Sequence, residues 1–173
     1  LNKIAGRFSK IGSQPKLEWK DIVTKIKNVA GYFEKRIPSL IGTDGLAKKK
    51  VSIQINSPDS IKALINTDLF EWVIENLFKN ALDAIEKHSG IILINISSKD
   101  NDIIIDVSDN GKGIDKRHRK DIFRPGYSTK KRGWGLGLSL SKRIIEDYHS
   151  GKLTLSESIL EKGTTFRIKL KAG

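Results

Sequence analysis

Apolar and polar residues alternate along some stretches of the chain and recur every third or fourth position along others, and the two periods mark out the expected elements. Ile22, Ile26, Val29, Ala30 and Phe33 form one helical face, with Asp21 before it as N-cap and Pro38 expected to end it. The longest helical pattern runs from Thr67 to about His88, with Leu69, Val73, Leu77, Ala81, Ala84 and Ile85 on one side. Strand-like stretches are Leu17 to Trp19, Val51 to Asn56 and Ala63 to Asn66, with Gly42 to Lys50 a polar loop. Ile91 to Ser97 and Asp102 to Val107 read as neighbouring strands joined by the polar turn Ser98 to Asn101. A short helix is expected over Ile114 to Ile122 and another through Leu138, Ile144, Ile145 and Tyr148. Lys152 to Glu157 and Thr164 to Leu170 then form a hairpin about Glu161 to Gly163. At the head of the chain Leu1, Ile4, Phe8 and Ile11 make an amphipathic stripe that stops at Gly12, and Ser13 to Lys16 is a hinge containing Pro15.

Composition narrows the class. With 173 residues, 38 % of them hydrophobic and 30 % charged, the chain suits one soluble globular domain, and its longest apolar runs are only strand-sized. It has no cysteine, which excludes disulfides and thiolate metal sites and suits a reducing cytoplasm. A chain that starts at Leu1 and holds no methionine reads as a fragment of a longer protein. The net charge of +12 points to an anionic partner. Lys112, Lys116, Arg117, Arg119, Lys120, Arg124, Lys130, Lys131 and Arg132 cluster together, yet only Phe123 and Tyr127 are interleaved as aromatics, too few for a nucleic-acid stacking platform.

Candidate chemistry gathers at three places. Asp109, Asn110, Gly111, Lys112 and Gly113 close the strand Ile103 to Val107 with a turn, so a carboxylate stands at a strand end beside glycines that permit close approach; Asp109 can accept from an exocyclic amine. As a fragment alone, the same residues are an ordinary turn. Asn76 and Asn80, four apart with Lys79 and Asp83 nearby, stack amides along a helix face; an amide oxygen is a hard ligand suited to Mg²⁺, and solvent-exposed amides are the plainer alternative. Gly133, Trp134, Gly135, Leu136, Gly137 and Leu138 open a helix and expose backbone amides suited to phosphate, without the lysine and hydroxyl pair of a Walker loop. Before them Phe123 to Trp134, rich in glycine, proline and cations, reads as a mobile lid. The three histidines, His88, His118 and His149, read as solvent-facing.

In their order these stretches resemble the ATP-binding domain of sensor histidine kinases, members of the GHKL superfamily that also holds gyrase, Hsp90 and MutL. Glu75 to Ala84 (ENLFKNALDA) looks like the N box, Asp109 to Gly113 (DNGKG) the G1 box, Phe123 to Lys130 (FRPGYSTK) the F box and Gly133 to Leu138 (GWGLGL) the G2 box. Gly163 to Phe166 (GTTF) resembles the final box. The resemblance implies an α/β (α+β) two-layer sandwich, the Bergerat fold, in which a mixed, largely antiparallel sheet carries helices on one face. It implies ATP and Mg²⁺ as ligands. Asn80 would then coordinate the metal, Asn76 and Lys79 would lie near the phosphates with Asp83 beside them, and Asp109 would bind the adenine amine with Thr164 in support. Gly111, Gly113 and Ile114 would pass beside the base. Tyr127, Ser128, Thr129 and Lys130 would belong to the lid, Lys130 reaching a phosphate, and Gly133, Gly135, Leu136, Gly137 and Leu138 would form the amide-bearing turn.

By the same resemblance residues 1–12 are the end of a dimerisation and phosphoacceptor helix, residues 13–173 the ATP-binding domain, and residues 123–134 the lid. The implied partners are the parent's own dimerisation domain and a response-regulator receiver domain, with no nucleic acid, in a cytoplasmic domain whose parent is free to be membrane-anchored. One departure sorts the superfamily: the hydrolysing branch carries a general-base Glu four residues before the metal Asn, and here that position is Asn76. Glu75 sits about 100° round the helix from it. Transfer to a histidine outside the chain is therefore expected, with a GHKL-type ATPase or plain nucleotide-binding module as the alternative.

Overall fold

The computed structural model describes residues 14–40, 50–87, 89–128 and 135–172. The expected helix Leu1 to Ile11, the polar loop after Gly42, His88 and the central part of the expected lid, including Thr129, Lys130 and Gly133, lie outside these residues. The elements in order are β1 (Glu18–Asp21), α1 (Ile22–Leu40), β2 (Lys50–Asn56), β3 (Lys62–Ile65), α2 (Thr67–Ala84), β4 (Ser89–Lys99), β5 (Asp102–Asp109), α3 (Gly137–Arg143), β6 (Lys152–Ile159) and β7 (Gly163–Lys171). β2, β4, β5, β7 and β6 form a five-stranded sheet in that order, and β1 and β3 a small antiparallel ribbon. Only the β2–β4 pairing within the larger sheet is parallel.

Alternation puts one face of the sheet, including Ile92, Ile94, Ile96, Ile103, Ile105, Val107, Ile168 and Leu170, into the core. Covering it are the stripes of α1 (Ile22, Ile26, Phe33) and α2 (Phe70, Val73, Ile74, Leu77, Phe78), with Phe33 edge-on to Phe78 at 5.6 Å. The opposite face is polar: Arg167 makes a bidentate pair with Asp106 at 2.8 and 2.9 Å, and Lys169 and Lys171 both reach Asp102. Helices thus sit on one face of a mixed, largely antiparallel sheet, as expected. No helix among the described residues is long and apolar enough to cross a membrane.

Asp21 both ends β1 and caps α1: Oδ1 accepts from the Val23 and Ile61 amides and Oδ2 from Thr24 Oγ. Other boundaries differ from expectation. β1 lies one residue later at its start and two later at its end than Leu17 to Trp19. Pro38 sits inside the last turn of α1, which continues to Leu40; it forfeits the one helical bond to the Glu34 carbonyl, and the helix ends two residues later. α2 stops at Ala84, short of His88, because the Ile85 amide turns back to the Ala81 and Leu82 carbonyls and the Ala84 carbonyl takes the Lys112 amide at 2.8 Å. Instead of a helix over Ile114 to Ile122 there is a 3₁₀ turn at Lys116–His118, capped by Asp115. Ile114 and Ile122 alone, with cations between, offer no apolar stripe to hold a longer helix. α3 passes directly into a single π turn at Ile144–Tyr148.

Candidate functional site

β5 delivers Asp109 to the end of the sheet, where the chain must turn. The Gly111 amide donates to Asp109 Oδ1 at 2.8 Å, and Thr164, opposite it on β7, supplies a second backbone donor. Burial pushes the Asp109 carboxyl up to about 6, against the pull of those two amides. Two donors leave part of a carboxylate's acceptor capacity open to an amine. The turn itself is wedged between backbones. A Cβ on Gly111 would come within 2.5 Å of the Ala84 carbonyl oxygen, and one on Gly113, at φ +75°, within 2.4 Å of the Ile159 carbonyl oxygen. The Glu161 amide closes the other side on the Lys112 carbonyl at 2.8 Å.

Facing Asp109 is the polar side of α2, where Asn76, Lys79, Asn80 and Asp83 share one face by their spacing. Lys79 lies 3.5 Å from Glu75. Asn76 Nδ2 donates to the buried Ser141 Oγ at 3.0 Å, and a Cβ on Gly137 would come to 2.4 Å of Asn76 Oδ1. The start of α3 is therefore pinned against α2, and Leu136, in its N-cap position, makes no side-chain cap. Gly135, at φ +65°, accepts from the Gly126 amide at 3.1 Å, and a Cβ there would meet Gly126 and the Tyr127 carbonyl at 2.6 Å. The rings of His118 and Tyr127 lie 6.0 Å apart, tilted by 37°.

These walls enclose a cleft of about 670 Å³. Asn76, Lys79, Asn80, Asp83, Asp109, Gly113, Ile114, Tyr127, Ser128, Gly135, Leu136, Gly137, Leu138 and Thr164 all line it. Gly111 does not; it supports Asp109 from behind. A second cleft of about 620 Å³, beside the end of α1 and β2, has Glu34 and Lys50 as its charged residues and no comparable convergence of amides and glycines.

Residues the sequence did not single out also shape the site. Ser158 takes the Ile114 amide at 2.8 Å and pairs with Thr164 Oγ1 at 2.9 Å, and Ser141 holds Asn76. Nothing in a lone serine's sequence context distinguishes such a partner. Two histidines correct the solvent-facing expectation. His118 is half-buried on the cleft wall. His149 is 7 % exposed and folded back under the π turn it follows, with Nδ1 bonded to the Ile144 carbonyl and Nε2 accepting from the Asn66 amide.

For a metal, no group of three or more His, Cys, Asp or Glu side chains is placed together among the described residues. The cleft offers a sparse oxygen set instead. That fits Mg²⁺, which keeps several waters and takes few protein ligands beside phosphate oxygens. Asn80, one turn from Asn76 along the same wall, would offer its amide oxygen to such an ion.

Proteins to which this chain is similar include sensor kinases. The C4-dicarboxylate transport sensor protein DctB of Rhizobium meliloti is 38 % identical over 115 residues, covering 66 % of this chain and 18 % of that protein. Sporulation kinase C of Bacillus subtilis is 33 % identical over 138 residues, covering 79 % of this chain and 31 % of the kinase. The chain thus spans less than a third of either relative. The nucleotide-free catalytic domain of histidine kinase ThkA superposes with a TM-score of 0.73 at 25 % identity, over 90 % of this chain and 95 % of that one. The family profile described as histidine kinase-, DNA gyrase B-, and HSP90-like ATPase matches residues 65–173, from the end of β3 through the cleft to the last strand, and the chain belongs to that family.

Proposed function

We propose that this domain binds Mg-ATP and directs the γ-phosphoryl group to a histidine on a dimerisation domain outside the chain, in a pathway that passes it to a response-regulator receiver domain. The observation that carries the reading is Asp109, half-buried at the base of the cleft with acceptor capacity left after its two backbone bonds. Adenine presents an amine where guanine presents a carbonyl, so a carboxylate there selects the adenine base. Asp109 fixes the base, Gly113 and Ile114 flank it, and the phosphates run along α2 toward Asn80, Lys79 and the turn Gly135 to Leu138. Mg²⁺ held by Asn80 would neutralise charge on the phosphate oxygens as the bridging P–O bond breaks and a P–N bond forms on the acceptor imidazole.

Transfer is favoured over hydrolysis by what occupies the position of a general base. Asn76 carries an amide bonded to Ser141, and Glu75 is turned to Lys79. Neither arrangement activates a water. Titration calorimetry with ATP and GTP tests the base assignment: at least tenfold tighter binding of ATP is expected, and equal affinities would contradict it.

A further inference from the structure

Asn66 joins three parts of the molecule that are distant in sequence. Its Oδ1 caps α2 by accepting from the Leu69 amide at 3.1 Å, its Nδ2 donates to the Lys16 carbonyl at 3.1 Å, and its backbone amide donates to His149 Nε2 at 3.1 Å. Because Nε2 accepts, the ring proton resides on Nδ1, which donates to the Ile144 carbonyl at 2.9 Å. Burial lowers the pKa of His149, in keeping with this neutral form. His149 thus sits where the π turn after α3 meets the N-terminus of α2. Farther along the same pair of elements, Asn76 in the middle of α2 and Ser141 make the tie beside the cleft. Asn66 and Asn76 are about 15 Å apart along α2, so α2 and the α3 segment are fastened at two points, one at the cleft and one remote from it. The remote point is also where the chain arrives from its N-terminal side, through Lys16.

We propose that His149 is a positioning residue for the nucleotide cleft. Through the Asn66 amide it sets the register of the glycine-bearing α3 segment against the asparagine-bearing α2, and it makes that register sensitive to the segment arriving at Lys16. The proposal rests on the nucleotide reading given above. In a kinase built this way, displacement of the incoming chain is felt at α2 and at the π turn together, and nucleotide in the cleft is felt at Lys16.

Two amide variants separate the ring nitrogens. In His149→Gln the side-chain oxygen reaches the place of Nε2 and accepts from Asn66; in His149→Asn the shorter amide reaches the place of Nδ1 and keeps only the Ile144 bond. Asn66→Asp retains the α2 cap and the backbone amide but removes the donor to Lys16. The 173-residue chain and these variants are to be titrated with Mg-ADP, melted thermally, and followed by amide hydrogen exchange with and without Mg-ADP over residues 16–19 and 66–70. In the unaltered chain Mg-ADP is expected to slow exchange in both segments. His149→Gln keeps ADP affinity within twofold and keeps both responses, whereas His149→Asn loses at least fivefold in affinity and both responses, although the two melt at similar temperatures. Asn66→Asp binds ADP within twofold yet loses the response at residues 16–19 alone. Binding within twofold and an unchanged exchange response in His149→Asn overturns the positioning role, as does an affinity loss that merely follows the melting temperature through both His149 variants. No Mg-ADP binding by the unaltered chain overturns the nucleotide reading itself, and this proposal with it.

Discussion

Asp109 is held at a cost that its ligand is suited to recover. A carboxyl raised to about 6 from an ordinary 3.8 binds its proton more tightly when folded than when unfolded, so this group lowers stability progressively as pH rises from about 4 to about 6. Asp109→Asn removes that burden and keeps the acceptor for Gly111. Its melting temperature is expected to exceed that of the unaltered chain at pH 7.5 and to show no such gain at pH 4. ATP affinity should move the other way, falling by about 2 kcal/mol, roughly 30-fold, because a charge-assisted bond to the base amine is lost. A further sign follows for the unaltered chain. If the ionised form is the acceptor, ATP affinity falls about tenfold at pH 5 relative to pH 7.5, and calorimetry of the Asn variant over the same range supplies the control for titration of ATP itself. Asn80→Ala tests the metal ligand: the gain in nucleotide affinity on adding Mg²⁺ should disappear with little change in melting temperature. At this scale the sequence singled out Asp109, Asn80 and the glycines Gly113, Gly135 and Gly137, which the fold brings to one cleft, because their residue types are unusual for their places. It did not show Ser141, Ser158 or the buried state of His149, since each depends on a partner more than five residues away in the chain or on a π turn that no local pattern announces.

Gly111, against the Ala84 carbonyl, and Gly113 carry much of the geometry around the Asp109 turn. Gly113 has a left-handed φ and no room for a Cβ against the Ile159 backbone, and the Asp109 turn cannot shift without disturbing both α2 and the β6–β7 hairpin. Gly113→Ala is expected to cost about 1–3 kcal/mol, read as a lower denaturation midpoint, with loss of ATP binding in what remains folded. Elements with a clear pattern were legible before the fold was seen: α1 from Ile22 to Phe33, α2 from Leu69 to Ala81, the apolar runs of β4 and β5, and the alternating strands β2 and β7. Where a tertiary bond decided the outcome the pattern misled. The Ala84 carbonyl satisfies Lys112 rather than a further turn of α2, and the cation-rich stretch after Ile114 settles for a single 3₁₀ turn capped by Asp115.

For the whole molecule, one face of a five-stranded sheet covered by α1 and α2 leaves the polar edge of α2 facing the end of β5, and the cleft occupies the space between them. The order of motifs made that architecture and the family readable, while the meeting of α2 with α3 through Asn76 and Ser141 came only from the fold. The central claim is transfer of a phosphoryl group to a histidine this chain lacks, and labelling with γ-³²P-ATP tests it most directly. The chain alone should bind Mg-ATP, turn it over very slowly and remain unlabelled, because proximity of acceptor and γ-phosphate supplies most of the rate. With the proposed dimerisation domain supplied, in the same chain or as a separate dimer, acid-labile and alkali-stable label should appear on a histidine outside these 173 residues. Label on His88, His118 or His149, or brisk hydrolysis by the chain alone, would contradict the account.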